Sequence, residues 1–270
     1  MNHQRATAPA FRNAPEPKAE LHGGYLPVRT AELCMAWSLL RAQVLRVLDV
    51  RVWLACHEMQ TRHTTDARGK KPTYRTKELL GLVGGGGGEL RESLRRLEQS
   101  GLLLWERSGN KFDSAGPTFA TSPEQLDSRA LEGFWQMASL MHPKRKRVPL
   151  PRRVVRMLAG GVSRGVLATA LGQLVCCLYF SRKDGWNPVG NCKGSWIAKA
   201  FGISGRTVTR AREHLERIGL LERIESPNQW HLNSYGARFA VNLSWARTDA
   251  EAAFSTGKLS PPQTQSTGEV

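Results

Sequence analysis

An internal repeat constrains the fold of this chain more than any other sequence feature. Residues 76–103 read TKELLGLVGGGGGELRESLRRLEQSGLL, and residues 194–221 read GSWIAKAFGISGRTVTRAREHLERIGLL. The two segments align without a gap, with Gly101 opposite Gly219, 118 residues further along the chain. The aligned identities fall at turn and core positions: Gly84 and Gly202, Leu97 and Leu215, Glu98 and Glu216, Leu102 and Leu220, Leu103 and Leu221. Two copies of one helical unit predict two similar domains.

Each copy occupies the same place in a longer pattern of elements, with an apolar helix before it and a strand pair after it. The predicted elements are a helix at 45–59 and strands at 102–106 and around Phe112 in the first block, and a helix at 165–180 and strands at 221–224, 229–232 and 239–243 in the second. Helix, helix, turn, helix and hairpin is the order of elements in a winged helix. The sequence therefore predicts an α+β fold that is mainly α, with small β-hairpin wings.

Changes in composition along the chain suggest where the domains begin and end. Residues 1–24 and 246–270 have no hydrophobic periodicity, so we expect disordered tails there. Between the tails we predict a winged-helix domain at 25–114, a helical and basic linker at 115–148 with a candidate amphipathic helix at 123–141, and a second winged-helix domain at 149–245.

The net charge points to a polyanionic partner. Lysine and arginine exceed aspartate and glutamate by 39 to 23, while a hydrophobic content of 40% is enough for folded domains. No run approaches the roughly 18 apolar residues of a membrane-spanning helix, and the N-terminus lacks the apolar stretch of a signal peptide. We expect no membrane association, and a location in the cytoplasm with the nucleoid, or in the nucleus of a eukaryotic source.

Motifs for catalysis, cofactors and metals are missing from the sequence. The cysteines show neither a CxxC pair nor a zinc-site spacing, and there is no HExxH or nucleophile elbow. The glycine run at 84–88 is followed by Glu89 rather than the Gly-Lys-Ser/Thr of a phosphate-binding loop. We therefore expect a non-enzymatic protein with no metal site, no catalytic residue and no cofactor.

The second copy of the repeat has the local signals of a helix–turn–helix. Residues 196–201 are predicted to form a short helix, Gly202 to provide a left-handed turn, and Ser204 to cap the next helix. Apolar residues three and four positions apart then form a stripe facing the core: Val208, Ala211, Leu215 and Ile218. The opposite face carries polar and basic side chains: Arg206, Thr209, Arg210, Glu213 and Arg217.

The string GISGRTVTRAREHLERIGLLER at 202–223 resembles the helix–turn–helix of the catabolite activator and related winged-helix regulators. In that family a Thr-Val-x-Arg core follows the turn, and the helix ends in Leu-x-x-x-Gly-Leu. The resemblance implies base contacts at Gly205, Arg206 and Arg210, although the glycine departs from the side chain usual there. With Thr209 from the exposed face, these form the predicted base-reading set. The predicted backbone contacts of this domain are Ser204, Thr207, Arg217 and Asn228 in the wing.

The first copy lacks the base-reading side chains. At the same offset, Arg206 corresponds to Gly88 and Arg210 to Glu92. Arg91 and Arg95, together with Arg96, remain available for phosphate contacts. We therefore expect the first domain to position the protein, to dimerise or to contact the DNA backbone, rather than to read sequence.

A basic segment joins the two predicted domains. Its cations are predicted to follow phosphates or to enter a minor groove: Lys144, Arg145, Lys146, Arg147, Arg152 and Arg153. A solvated linker and a nuclear localisation signal are the alternatives for this run.

Two winged helices joined by a basic linker resemble the tandem arrangement of replication initiators of plasmids and other mobile elements. The resemblance implies double-stranded DNA as the partner and a role in replication initiation or its control. The alternatives are a transcription regulator that uses the same reading helix, and an adaptor that holds another protein. Whether the chain forms a homodimer is left open.

Overall fold

The structure is a computed structural model that describes residues 24–62, 73–103, 106–108, 111–113, 123, 126–141, 147–181, 185–224 and 236–245. These ranges contain nine α-helices and ten short strands, and every strand pairing is antiparallel. The predicted class, mainly α with small antiparallel sheets, is confirmed.

The first half of the chain contains five of these helices. Its elements are β1 (Tyr25–Arg29), α1 (Thr30–Arg41), α2 (Val47–Arg62), β2 (Thr73–Arg75), α3 (Thr76–Val83), α4 (Gly87–Gln99), β3 (Glu106–Ser108), β4 (Lys111–Asp113) and α5 (Ser128–Leu140).

The second half contains the remaining four helices. Its elements are β5 (Arg147–Pro151), α6 (Arg152–Ala159), α7 (Arg164–Cys177), β6 (Tyr179–Ser181), β7 (Gly185–Asn187), β8 (Val189–Cys192), α8 (Gly194–Phe201), α9 (Gly205–Arg217), β9 (Leu221–Arg223) and β10 (Ala237–Val241).

The repeat seen in the sequence is also present in the topology. In the first half, a three-stranded sheet has the order β2-β4-β3, and in the second half another has the order β8-β10-β9. In each sheet, the strand that precedes the helix pair forms an edge and the last strand lies in the centre. The two helix pairs, α3 with α4 and α8 with α9, therefore stand in equivalent positions relative to similar sheets.

Several predicted elements have different ends in the structure. The helix predicted at 165–180 stops at Cys177, because Tyr179 begins a hairpin in which it pairs with Asn187. The helix predicted at 123–141 begins at Ser128, where the Asp127 side chain accepts a hydrogen bond from the Ala130 N–H at 2.7 Å.

The strand predicted at 102–106 is also shorter than expected. Leu102 and Leu103 donate their N–H groups to the Leu97 carbonyl at 3.0 and 3.2 Å, which closes the end of α4. The strand β3 therefore begins only at Glu106. The strand predicted at 229–232 lies outside the described residues.

The strand β1 pairs with β5, which joins the start of one block to the start of the other. The register places Leu26 opposite Leu150 and Val28 opposite Val148, and all four side chains are buried. Each strand leads directly into a helix, β1 into α1 and β5 into α6. The two halves therefore each begin with a strand followed by a helix, and the two strands are paired with each other.

The first helix of each half packs on elements outside its own helix pair. The helix α1 lies along α5, where Gly133 closely approaches Ser38, and its Trp37 reaches the end of α8. The helix α6 lies against α2 and α3, where Arg156 pairs with Glu58 at 2.7 Å. The buried apolar side chains of both halves form one continuous cluster.

Candidate nucleic-acid interface

The turn between α8 and α9 has the geometry that the sequence predicts. Gly202 has φ 61° and ψ 46°, in the left-handed region, and its N–H donates to the Ala198 carbonyl. A side chain with Cβ would make this conformation costly. Gly84, at the equivalent place in the first copy, also has a positive φ of 73°. The left-handed turn is therefore shared by both copies.

Ser204 caps the start of α9, as predicted. Its Oγ accepts a hydrogen bond from the Thr207 N–H at 3.1 Å and lies 2.8 Å from the Thr207 Oγ1. Capping of this kind stabilises a helix by about 1 kcal/mol. The two hydroxyls predicted to contact the DNA backbone thus also order the first turn of the helix.

The inner face of α9 is buried along the predicted stripe. Val208, Ala211 and Leu215 are at most 4% exposed, and Ile218 is half-buried against them. The neighbouring helix α7 approaches so closely at Gly165 that a Cβ there would clash with the Thr207 side chain. Packing on α7 and α8 therefore holds α9 in one orientation.

The outer face of α9 is exposed over its whole length. Its exposed residues are Gly205, Arg206, Thr209, Arg210, Glu213 and Arg217. The hydroxyl of Thr209 donates to the Gly205 carbonyl at 3.2 Å. Nothing lies within 4 Å of the position that a Cβ would take at Gly205, so this residue leaves open space at the start of the face. The structure thus brings the four predicted base-reading residues to one solvent-facing surface.

The equivalent helix α4 of the first copy presents a different surface. Gly88 and Glu92 are exposed at the positions that correspond to Arg206 and Arg210. The Glu92 carboxylate binds Arg95 at 2.9 Å, and this hydrogen bond lowers the pKa of Glu92. Arg91 is exposed and donates to the Gly87 carbonyl at 3.2 Å. Arg91 and Arg95 are two of the cations of this helix that are predicted to contact phosphates. Arg95 therefore lies beside a carboxylate, that of Glu92.

Arg96 is directed inward rather than towards solvent. Its Nε and Nη2 atoms each lie 2.8 Å from one carboxylate oxygen of Asp49, which is fully buried. The hydrogen bonding that Arg96 donates to the Asp49 carboxylate raises the pKa of Arg96. The expectation that Arg96 is available for phosphate does not fit this geometry. The buried Asp49 lies on another helix, α2, so no local pattern around Arg96 pointed to it.

The described part of the basic segment belongs to folded elements. Arg147 is the first residue of β5 and is exposed opposite Arg29, while Arg153 is exposed on α6. Arg152 is half-buried, and its backbone N–H donates to the Gly24 carbonyl at 3.1 Å. Lys144, Arg145 and Lys146, as well as Asn228, lie outside the described residues.

Arg212 is a residue that the sequence analysis overlooked. It lies on α9 between the buried stripe and the exposed face, and its Nη2 donates to the Cys192 carbonyl at 2.8 Å and to Gln173 Oε1 at 3.2 Å. The repeat contained a signal for it, because the equivalent residue of the first copy is the buried Leu94. An arginine at the position of a core leucine needs hydrogen-bond acceptors in the fold or a functional role.

Comparison of the chain with protein families, curated proteins and solved structures finds no match. Among the described residues, no helix combines the length and apolar character needed to cross a membrane. In the same part of the chain, no cluster of three His, Cys, Asp or Glu side chains is placed to hold a metal ion.

Proposed function

We propose that this chain is a sequence-specific duplex DNA-binding protein that reads bases with α9. The observation that carries the proposal is the division of α9 into a buried apolar stripe and an exposed face with three arginines, Arg206, Arg210 and Arg217. A helix held rigidly by one face can offer the other to the major groove, where an arginine bonds guanine O6 and N7.

The sheets support a winged-helix interpretation of both halves. In each half, a left-handed glycine turn joins the two helices, and a three-stranded antiparallel sheet with the same strand order accompanies them. The helix, turn, helix and following strands of this order are those that the sequence predicts for a winged helix, and one further strand, β2 or β8, precedes each helix pair. On this interpretation, the net charge of +16 supplies the attraction to phosphates that is independent of sequence.

The difference between the two copies suggests a division of labour. The second copy has exposed Arg206 and Arg210, whereas the first has Gly88 and a carboxylate, Glu92, that binds its neighbour Arg95. We infer that the second domain reads sequence and that the first domain positions the protein on the backbone. Such a division accords with replication initiation, or its control, on a plasmid or another mobile element.

Selection of bound sequences from a random duplex library, with the full chain, tests the proposal. The wild-type chain is expected to enrich a defined site, and Arg206→Ala and Arg210→Ala are each expected to relax it by about 1–3 kcal/mol at one position. The matched control is Arg91→Ala, which removes an exposed arginine from α4 and is expected to leave the enriched sequence unchanged.

The layout of the enriched site then separates the candidate roles. Iterated sites within a replication origin support initiation, whereas a palindrome over a promoter identifies a transcription regulator. Equal loss of specific and random binding in the Arg206 and Arg210 variants would mean that these side chains contact only phosphates. A library without enrichment would contradict sequence-specific binding and favour the adaptor.

A further inference from the structure

A groove of about 670 Å³ lies beside α9, where the N-terminus of α8 meets the ends of β9 and β10. Three cationic residues line it, Lys193, Arg212 and Arg223, and Glu213 is the carboxylate in its wall. Its other polar lining includes Ser195 and Thr209. The groove contains Gly205 and Thr209 of the predicted base-reading set but neither Arg206 nor Arg210.

Arg212 has hydrogen-bonding capacity that the described fold does not use. Only its Nη2 atom donates to described residues, whereas its Nε is buried without an acceptor. Its Nη1 lies beside Gly194, 3.4 Å from the position that a Cβ would take there. The guanidinium also stacks 4.9 Å from the ring centre of Phe239. A half-buried guanidinium whose N–H groups lack acceptors raises the free energy of the folded state, and a ligand that supplies acceptors would offset this cost.

Arg223 also lies over the Phe239 ring. Its guanidinium lies 5.4 Å from the Phe239 ring centre, and its Nη2 binds Glu216 at 3.1 Å. Its Nε is likewise buried with no acceptor in the described part of the chain.

The backbone adds further donors and keeps the groove open. The first N–H groups of α8, those of Gly194 and Ser195, are directed to the groove end of the helix, where Lys193 is the N-cap residue and makes no side-chain capping bond. Gly236 has φ +94°, and a Cβ there would lie 2.7 Å from the Lys193 nitrogen. Glycine is therefore required where the chain closes against Lys193.

We propose that this groove binds a phosphate group. Phosphate oxygens would accept hydrogen bonds from the terminal Nη groups of Arg212 and Arg223, since their Nε atoms are buried, and from the first N–H groups of α8, with Lys193 adding charge. The phosphate has two possible sources, the DNA backbone alongside α9 or a free phosphate-bearing molecule. Thr209 lies both in the groove wall and on the exposed face of α9, so the backbone of a DNA duplex bound to α9 can reach the groove.

Two arms of one experiment, both with the full chain, test this proposal and separate the sources. Calorimetry with inorganic phosphate measures the free anion, and the salt dependence of binding to a short random-sequence duplex measures backbone contacts. The test variants are Arg212→Leu, which installs the residue of the first copy, and the double variant Lys193→Gln with Arg223→Gln. The control is Lys199→Gln, an exposed lysine of α8 that does not line the groove.

A free phosphate source predicts saturable binding of inorganic phosphate that weakens about tenfold or more in the test variants. A backbone source predicts that the slope of log affinity against log salt shrinks by about one unit for each contact removed. Circular dichroism checks whether each variant is folded. If Arg212→Leu is unfolded, the double variant still tests the proposal.

The proposal is overturned if the test variants match Lys199→Gln in both arms. Failure of the proposed function has a different signature, because a chain that binds no duplex can still bind inorganic phosphate through this groove.

Discussion

The indole N–H of Trp37 donates a hydrogen bond to the Phe201 carbonyl at 2.9 Å, and the Phe201 ring packs against the indole with centroids 4.9 Å apart at 72°. Both side chains are fully buried. Phe201 is the last residue of α8 before the Gly202 turn, and Trp37 belongs to α1 of the other half. The contact therefore fixes the two-helix unit that carries α9 to the first half of the chain.

We predict that Trp37→Phe lowers the free energy of unfolding by about 1–3 kcal/mol, because it leaves the buried Phe201 carbonyl without its donor. Urea denaturation of the full chain measures this change. The control is Trp135→Phe, since Trp135 is 58% exposed and its replacement is expected to change stability by no more than about 0.5 kcal/mol. Equal effects would show that the hydrogen bond does not stabilise the arrangement.

The pair of Arg96 and Asp49 gives a second stability prediction. Arg96→Met leaves the fully buried Asp49 carboxylate without its cation and is expected to cost about 3–5 kcal/mol. Arg95→Met is the matched control, because Arg95 and Glu92 are both more than half exposed and solvent-exposed pairs contribute little to stability. A loss in Arg96→Met no larger than in the control, measured by urea denaturation, would contradict an inward structural role for Arg96.

His57 gives a prediction about pH. Burial lowers the pKa of His57 from 6.5 to about 3, and its ring packs edge-on to Trp53 with centroids 4.6 Å apart. At pH values between about 3 and 6.5, His57 binds a proton in the unfolded chain but not in the folded chain. This contribution to stability is therefore complete above about pH 6.5 and is lost as the pH falls, by up to about 1.4 kcal/mol per unit.

Denaturation of the wild type and of His57→Phe at a series of pH values below neutrality checks this. The variant is expected to lose stability less steeply as the solution becomes acidic, because it removes the group that must take up the proton. Parallel curves for the two proteins would mean that His57 is not the titrating group.

The exposed face of α4 gives a prediction about DNA affinity. Gly88→Arg combined with Glu92→Arg is expected to tighten duplex binding, because the change adds two cations and removes the carboxylate that binds Arg95. The slope of log affinity against log salt should steepen with each new phosphate contact. Gly88→Gln with Glu92→Gln is the control, since it removes the carboxylate without adding cations. Loss of a specific complex in the arginine variant would instead show that α4 is itself a reader.

Local features of the candidate site could be predicted from the sequence because they depend on residues close together in the chain. The buried stripe of Val208, Ala211 and Leu215 follows from helical periodicity, and the positive φ of Gly202 follows from the turn between two helices. The Ser204 cap joins residues only three positions apart. The repeat likewise predicted that two similar units would form.

The sequence by itself thus determined α8, α9, their turn and which face of α9 is exposed, whereas only the tertiary structure decided how the two halves are joined. Leu26 pairs with Leu150, and Trp37 reaches Phe201, across more than a hundred residues. The direction of Arg96 and the unused donors of Arg212 also depend on such neighbours. Periodicity records which face of an element is apolar but not which distant surface covers it, because any apolar surface of matching shape satisfies the hydrophobic effect.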